Sequence, residues 1–155
     1  MATTNFSGPV ASANGFEGNI VGNVTGNVAG TGSVTHATTA AINATATATA
    51  AQVATGYITV TSATAVTLTL PTGTLLGAAL GAVKGTIFDL YIDNTASTSS
   101  GVVTVAVAVN GILSTAAADT AGSFGDLTIA VGATGLARYT LMFSSATAYV
   151  FTRTA

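Results

Sequence analysis

GNIVGNVTGNVAG, residues 18–30, writes a four-residue unit G-N-[I/V]-x three times in succession. Four is a multiple of the strand period, so Gly18, Ile20, Gly22, Val24, Gly26 and Val28 project to one face of an extended backbone and Asn19, Asn23 and Asn27 to the other. Collagen needs glycine at every third position, and a helix would carry these glycines at about 1 kcal/mol each. An extended strand remains. The apolar surface of Ile20, Val24, Val28 and, beyond a two-residue slip at Gly30-Thr31, Val34 is too small to offset the ordering of residues 18–35 in a single chain. Glycine between successive apolar residues lets neighbouring backbones approach closely. The stretch therefore reads as a trimeric β-stalk over residues 18–35, with Ile20, Val24, Val28 and Val34 along the trimer axis.

The composition around it agrees with strands. Thirty Thr, 18 Gly, many Val and Ala and only eight formally charged side chains in 155 residues describe short strands joined by turns, an all-β class. Mean hydropathy is high at +0.66, yet Thr, Gly, Asn or Ser interrupts the apolar residues throughout, and no run approaches the roughly 18 needed for a spanning helix. The start, MATTNFSGPV, carries no basic residue and no apolar core of signal-peptide length, so synthesis in a cytoplasm is expected. Without cysteine there is no disulfide framework and no thiolate chemistry. Net charge is −2, and Lys84, Arg138 and Arg153 are scattered, so neither nucleic acid nor a membrane surface is an expected partner. So low a charge density leaves few guards against self-association and points to a surface occupied by other copies or by a larger assembly.

Taken in order, residues 1–17 hold Phe6, Pro9 and Phe16 with no room for a core, and read as an arm that orders on a partner through its aromatics. Residues 36–54, HATTAAINATATATAAQVA, are Ala/Thr low complexity and are assigned as a linker. The head, residues 55–155, gives seven strand signals: 57–61, 65–70, 86–93, 102–109, 127–131, 138–143 and 148–153. Val66, Leu68 and Leu70 face inward, as do Phe88, Leu90 and Ile92, while Asp89 and Asp93 face out and Tyr149 and Phe151 oppose Val150. Turn clusters between these strands, including Asn110-Gly111, predict a jelly-roll-like β-sandwich. TGTLLGAALGAVK, residues 72–84, reads as either a short helix or a loop capping the sandwich.

Chemistry is sparse. His36 stands in Thr/Ala low complexity without a carboxylate nearby, which leaves a solvated histidine as the expectation. Asp89 and Asp93 share a strand face about 13 Å apart, too far for paired glycosidase carboxylates, and are expected to be a solvated face. Asp93, Asp119 and Asp126 lie in turns, where such side chains bond their own backbone. The expectation is no enzyme, no cofactor and no metal.

The run FSGPVASANGFEGNIVGNVTGNVAG ahead of a small Thr/Val-rich β domain resembles the capsid decoration (cement) and head-fibre proteins of tailed bacteriophages and cyanophages. The resemblance covers residues 5–30 well and the remainder in general character. It implies a homotrimer seated on the phage major capsid protein, on the outer capsid surface of the virion, and no catalysis; the arm residues Phe6, Pro9 and Phe16 are then the ones expected to contact the capsid. Tetrad repeats also occur in tail fibres and spikes. The competing expectation is therefore a trimeric fibre tip whose head binds a host receptor or glycan, which an exposed aromatic and acidic surface would favour.

Overall fold

The computed structural model describes residues 38–113 and 127–154, all within the compact unit Val34–Ala155. The arm (Phe6, Pro9, Phe16), the stalk (Ile20, Val24, Val28, Val34), His36, Asp119 and Asp126 lie outside the described residues.

The chain winds rather than folding back on itself. A first turn runs β1 (Ala40–Ala41), β2 (Ala46–Thr47), α1 (Ala50–Ala54); a second runs β3 (Tyr57–Thr59), β4 (Val66–Leu70), α2 (Gly73–Leu80). A third begins with β5 (Ile87–Asp93) and β6 (Val103–Val107) before β7 (Gly111–Leu113). Corresponding elements stack: β1, β3 and β5 pair in parallel in one sheet, β2, β4 and β6 in parallel in the other, and α1 packs on α2. Neighbouring turns thus supply each other's hydrogen bonds, as in a repeat protein.

The chain then closes the winding. β8 (Thr128–Ile129) runs antiparallel to β6, and after a short 3-10 turn at Gly132–Thr134, β9 (Leu136–Ser145) runs antiparallel to β5. β10 (Ala148–Arg153) forms a hairpin with β9 and takes β7 in parallel on its far side. The result is a six-stranded sheet, β1-β3-β5-β9-β10-β7, and a four-stranded sheet, β2-β4-β6-β8.

Two sheets around one core were expected, and all seven strand signals fall on strands. The connectivity is not a jelly roll: five of the eight described pairings are parallel, whereas a jelly roll is antiparallel. Period-2 alternation reports which face is buried, not the direction of the neighbour. Residues 40–54 are likewise part of the sandwich, not a linker: Ala40, Ile42, Ala48 and Val53 are buried in the shared core. Thr49 caps α1, with its hydroxyl accepting from Gln52 N–H and the Gln52 side chain accepting from Thr49 N–H. That reciprocal cap defines a helix start inside apparent low complexity.

Inward residues alternate as the strands require. Val66, Leu68 and Leu70 meet Ile58, Leu90, Ile92, Leu141 and the ring pairs Tyr139–Phe151 (4.6 Å between centroids) and Phe143–Tyr149 (5.7 Å). Tyr149 donates its hydroxyl to the Pro71 carbonyl, 3.0 Å away, and burial raises its pKa. The 72–84 segment holds a helix, Gly73–Leu80: Thr72 caps it, Gly81 ends it in the left-handed region at φ 58°, and Leu76 is buried. Gly77 faces the β9–β10 turn so closely that a Cβ would strike the Ala146 carbonyl.

Candidate functional site on the outer face of the larger sheet

The side chains of β3, β5, β9 and β10 that do not enter the core form one outward face. Outward positions recur every second residue, about 7 Å apart, and the strand register sorts them into rows. Ile87, Met142 and Val150 form the row at the α2 end; Asp89, Thr140 and Thr152 form the next. Tyr57, Tyr91 and Arg138 make the third, and Thr59, Asp93 and Leu136 the fourth.

The first row is apolar and open. Ile87 is 62% exposed and Met142 51%. Leu75, Val83 and Val109 are also exposed and lie on α2 or the loops beside it. Between α2 and the β9–β10 turn is a shallow cleft of about 440 Å³ walled by small side chains, among them Thr74, Ala78, Ala82, Ala146 and Thr147.

The other rows are polar and aromatic. Arg138 forms an ion pair with Asp89, whose other oxygen accepts from Thr140 Oγ1 at 2.8 Å. The Arg138 guanidinium lies 5.8 Å from the centre of the Tyr91 ring, and the Tyr57 and Tyr91 rings lie 6.4 Å apart, 23° from parallel. Tyr57 donates its hydroxyl to Asp93 Oδ2 at 2.8 Å, and Asp93 Oδ1 accepts from Thr95 N–H and Oγ1. The last pair is the turn bonding expected of Asp93.

The hydrogen bond from Arg138 holds the Asp89 carboxyl below the usual carboxylate range, and the one from the Thr95 hydroxyl does the same for Asp93. Bonding to Asp93 raises the Tyr57 pKa. Both carboxylates are therefore ionised at neutral pH and hold no proton to give. Among the described residues no three of His, Asp and Glu gather as a metal would require.

Asp89 and Asp93 do share a face as expected, but they are engaged partners rather than freely solvated charges. Tyr57, Tyr91 and Arg138 were not singled out from sequence. The outward parity of Tyr91 with Asp89 and Asp93 was readable in IFDLYID; that Tyr57 and Arg138 flank it needed the register.

Behind this face, Asn94 is buried, and its Nδ2 donates to the carbonyls of Gly101, Ile129 and Ala130. It ties the loop after β5 to the end of β8 and fixes the edge of the fourth row. Comparison with protein-family models, with curated proteins and with solved structures finds no match.

Proposed function

We propose that this protein is a structural virion component, a homotrimeric capsid decoration (cement) protein that binds the outer surface of a tailed-phage head and stabilises contacts between major capsid protein subunits. The observation that carries the reading is the tetrad run from Gly18 to Gly30, which needs partner copies to be stable. The head lends support in two ways. Arg138 and Asp89 pair with each other on one sheet face, and the in-register row of Ile87, Met142 and Val150 offers apolar surface to another protein.

In this reading Phe6, Pro9 and Phe16 seat each arm on the shell. Two buried aromatics per arm contribute about 3–6 kcal/mol before the cost of ordering it, and three tethered arms add avidity of roughly 100-fold or more. A variant lacking residues 2–16, added to undecorated capsids, tests this. It remains trimeric and fails to bind; undiminished binding removes the arm from the interface.

A second reading, a fibre tip recognising a host glycan, is favoured by one observation: the tyrosine pair flanked by carboxylates on the outer sheet face.

A further inference from the structure

We propose that the Asn110–Gly111 turn is a self-modification site: the Gly111 backbone nitrogen attacks the Asn110 carboxamide, and the isoaspartate that results unseats β7 from β10. The inference concerns the head alone and stands apart from the capsid reading.

Local geometry selects this asparagine. The described residues include Asn43, Asn94 and Asn110. Asn94 is buried and its Nδ2 donates to backbone carbonyls, and Asn43 Oδ1 accepts from Thr61 N–H at 2.9 Å, so both carboxamides are anchored to another segment. Asn110 is exposed and its carboxamide makes no hydrogen bond, so it turns freely about its side-chain bonds. The following residue differs as well. Ala44 and Thr95 put a side chain beside the nitrogen that would attack, whereas Gly111 puts none there.

The backbone at this point is a tight turn. Gly111 N–H donates to the Ala108 carbonyl at 3.0 Å, and Asn110 takes a φ of 64°, a positive value that asparagine tolerates better than most residues. Attack requires that N–H to come free. The turn leads into β7, which is three residues long and last in the order of the six-stranded sheet, and short elements at an edge open at the least cost.

The chemistry needs only water. Hydroxide takes the Gly111 amide proton, the nitrogen bonds to Asn110 Cγ, and the Cγ–Nδ2 bond breaks; the departing group takes a proton from water and leaves as ammonia, which restores the hydroxide. Water then opens the cyclic succinimide. Breaking the new bond to Cγ gives aspartate, and breaking the bond from Gly111 N to the main-chain carbonyl carbon gives isoaspartate, with the chain running through Cβ and Cγ. Either product adds one negative charge to a chain whose formal net charge is −2.

Isoaspartate reroutes the backbone where the sheet depends on it. The Asn110 carbonyl accepts from Tyr149 N–H at 3.1 Å, and Gly73 packs so near that a Cβ there would stand 2.7 Å from its oxygen. In isoaspartate that carbonyl becomes a free carboxylate and the chain gains a methylene, so Gly111, Ile112 and Leu113 lose their register with Tyr149, Val150 and Phe151. The new charge lies next to Val109, 73% exposed, at the apolar end of the head.

Ageing the full-length protein in neutral and in mildly alkaline buffer, followed by peptide mapping with electron-transfer fragmentation, tests this. Tryptic cleavage after Lys84 and Arg138 keeps Asn94 and Asn110 on one peptide, so the buried asparagine is the internal control, and Asn14-Gly15, the other such pair in the sequence, falls on a separate peptide. Isoaspartate is expected to accumulate at position 110, faster at the higher pH, while Asn43 and Asn94 stay amides and backbone hydrogen exchange at Ile112 and Leu113 rises with age. Asn110→Gly, which accommodates the positive φ, abolishes both changes. No isoaspartate at position 110, equal conversion of Asn94, or β7 amides that exchange as before in the aged protein each overturns the inference.

Discussion

Asp89 holds two strands together, its own β5 and β9, through Arg138 and Thr140, and the Arg138 guanidinium lies over Tyr91. Because its folded-state pKa lies below its ordinary value of 3.8, the stabilisation it provides is fully present above that value and disappears as pH falls through the folded-state pKa. Asp93, lowered by Thr95, acts in the same direction. The protein is therefore expected to lose thermal stability on acidification below pH about 4, and Asp89→Asn should make that loss shallower while lowering the melting temperature slightly at neutral pH. The neutral-pH effect is small because both partners are more than a third exposed. Melting curves recorded from pH about 7 to about 2 check it; an unchanged acid slope in Asp89→Asn would separate this carboxylate from acid stability. Outward placement of Asp89 and Asp93 was legible from alternation alone. Their bonding was not, since β9 lies some fifty residues away in sequence and its register is set by the core residues Tyr139, Leu141 and Phe143.

α2 sits where it does because one side of it has almost no side chain. Gly73 and Gly77 lie against the carbonyls of Thr147 and Ala146, so the helix rests directly on the β9–β10 turn while Leu76 reaches the core. Gly77→Ala is expected to push the helix off the turn and to cost about 1–3 kcal/mol, the range for overpacking a tight contact. Chemical denaturation measures this, and a variant as stable as the parent would show that the turn yields freely. Gly77, whose residue type disfavours a helix, is thus what the packing requires. The first turn of the winding hid for a different reason. Ala40–Ala41, Ala46–Thr47 and Ala50–Ala54 are too short and too small-sided to give a hydrophobic period, and only the Thr49–Gln52 cap and buried Ile42 and Val53 mark them. The longer strands β4, β5, β9 and β10 were readable because large apolar residues alternate with Thr or charge over five or more positions.

The head as a whole is a closed winding with unequal ends. Near α2 it exposes Leu75, Val83, Val109, Ile87 and Met142, while the opposite part of the same outer face carries the tyrosines and the paired charges. A chain with eight formal charges in 155 residues keeps such apolar surface from indiscriminate association most simply by burying it in a defined assembly. On the proposed reading the tetrad repeat makes the same demand, since an extended strand of that sequence would need copies of itself to cover its valines. Symmetric self-association answers both. The most direct measurement is the mass of the full-length protein by light scattering coupled to size exclusion at micromolar concentration. The account predicts a single species of three chain masses, unchanged on dilution across the column; a stable species of one chain mass would contradict it.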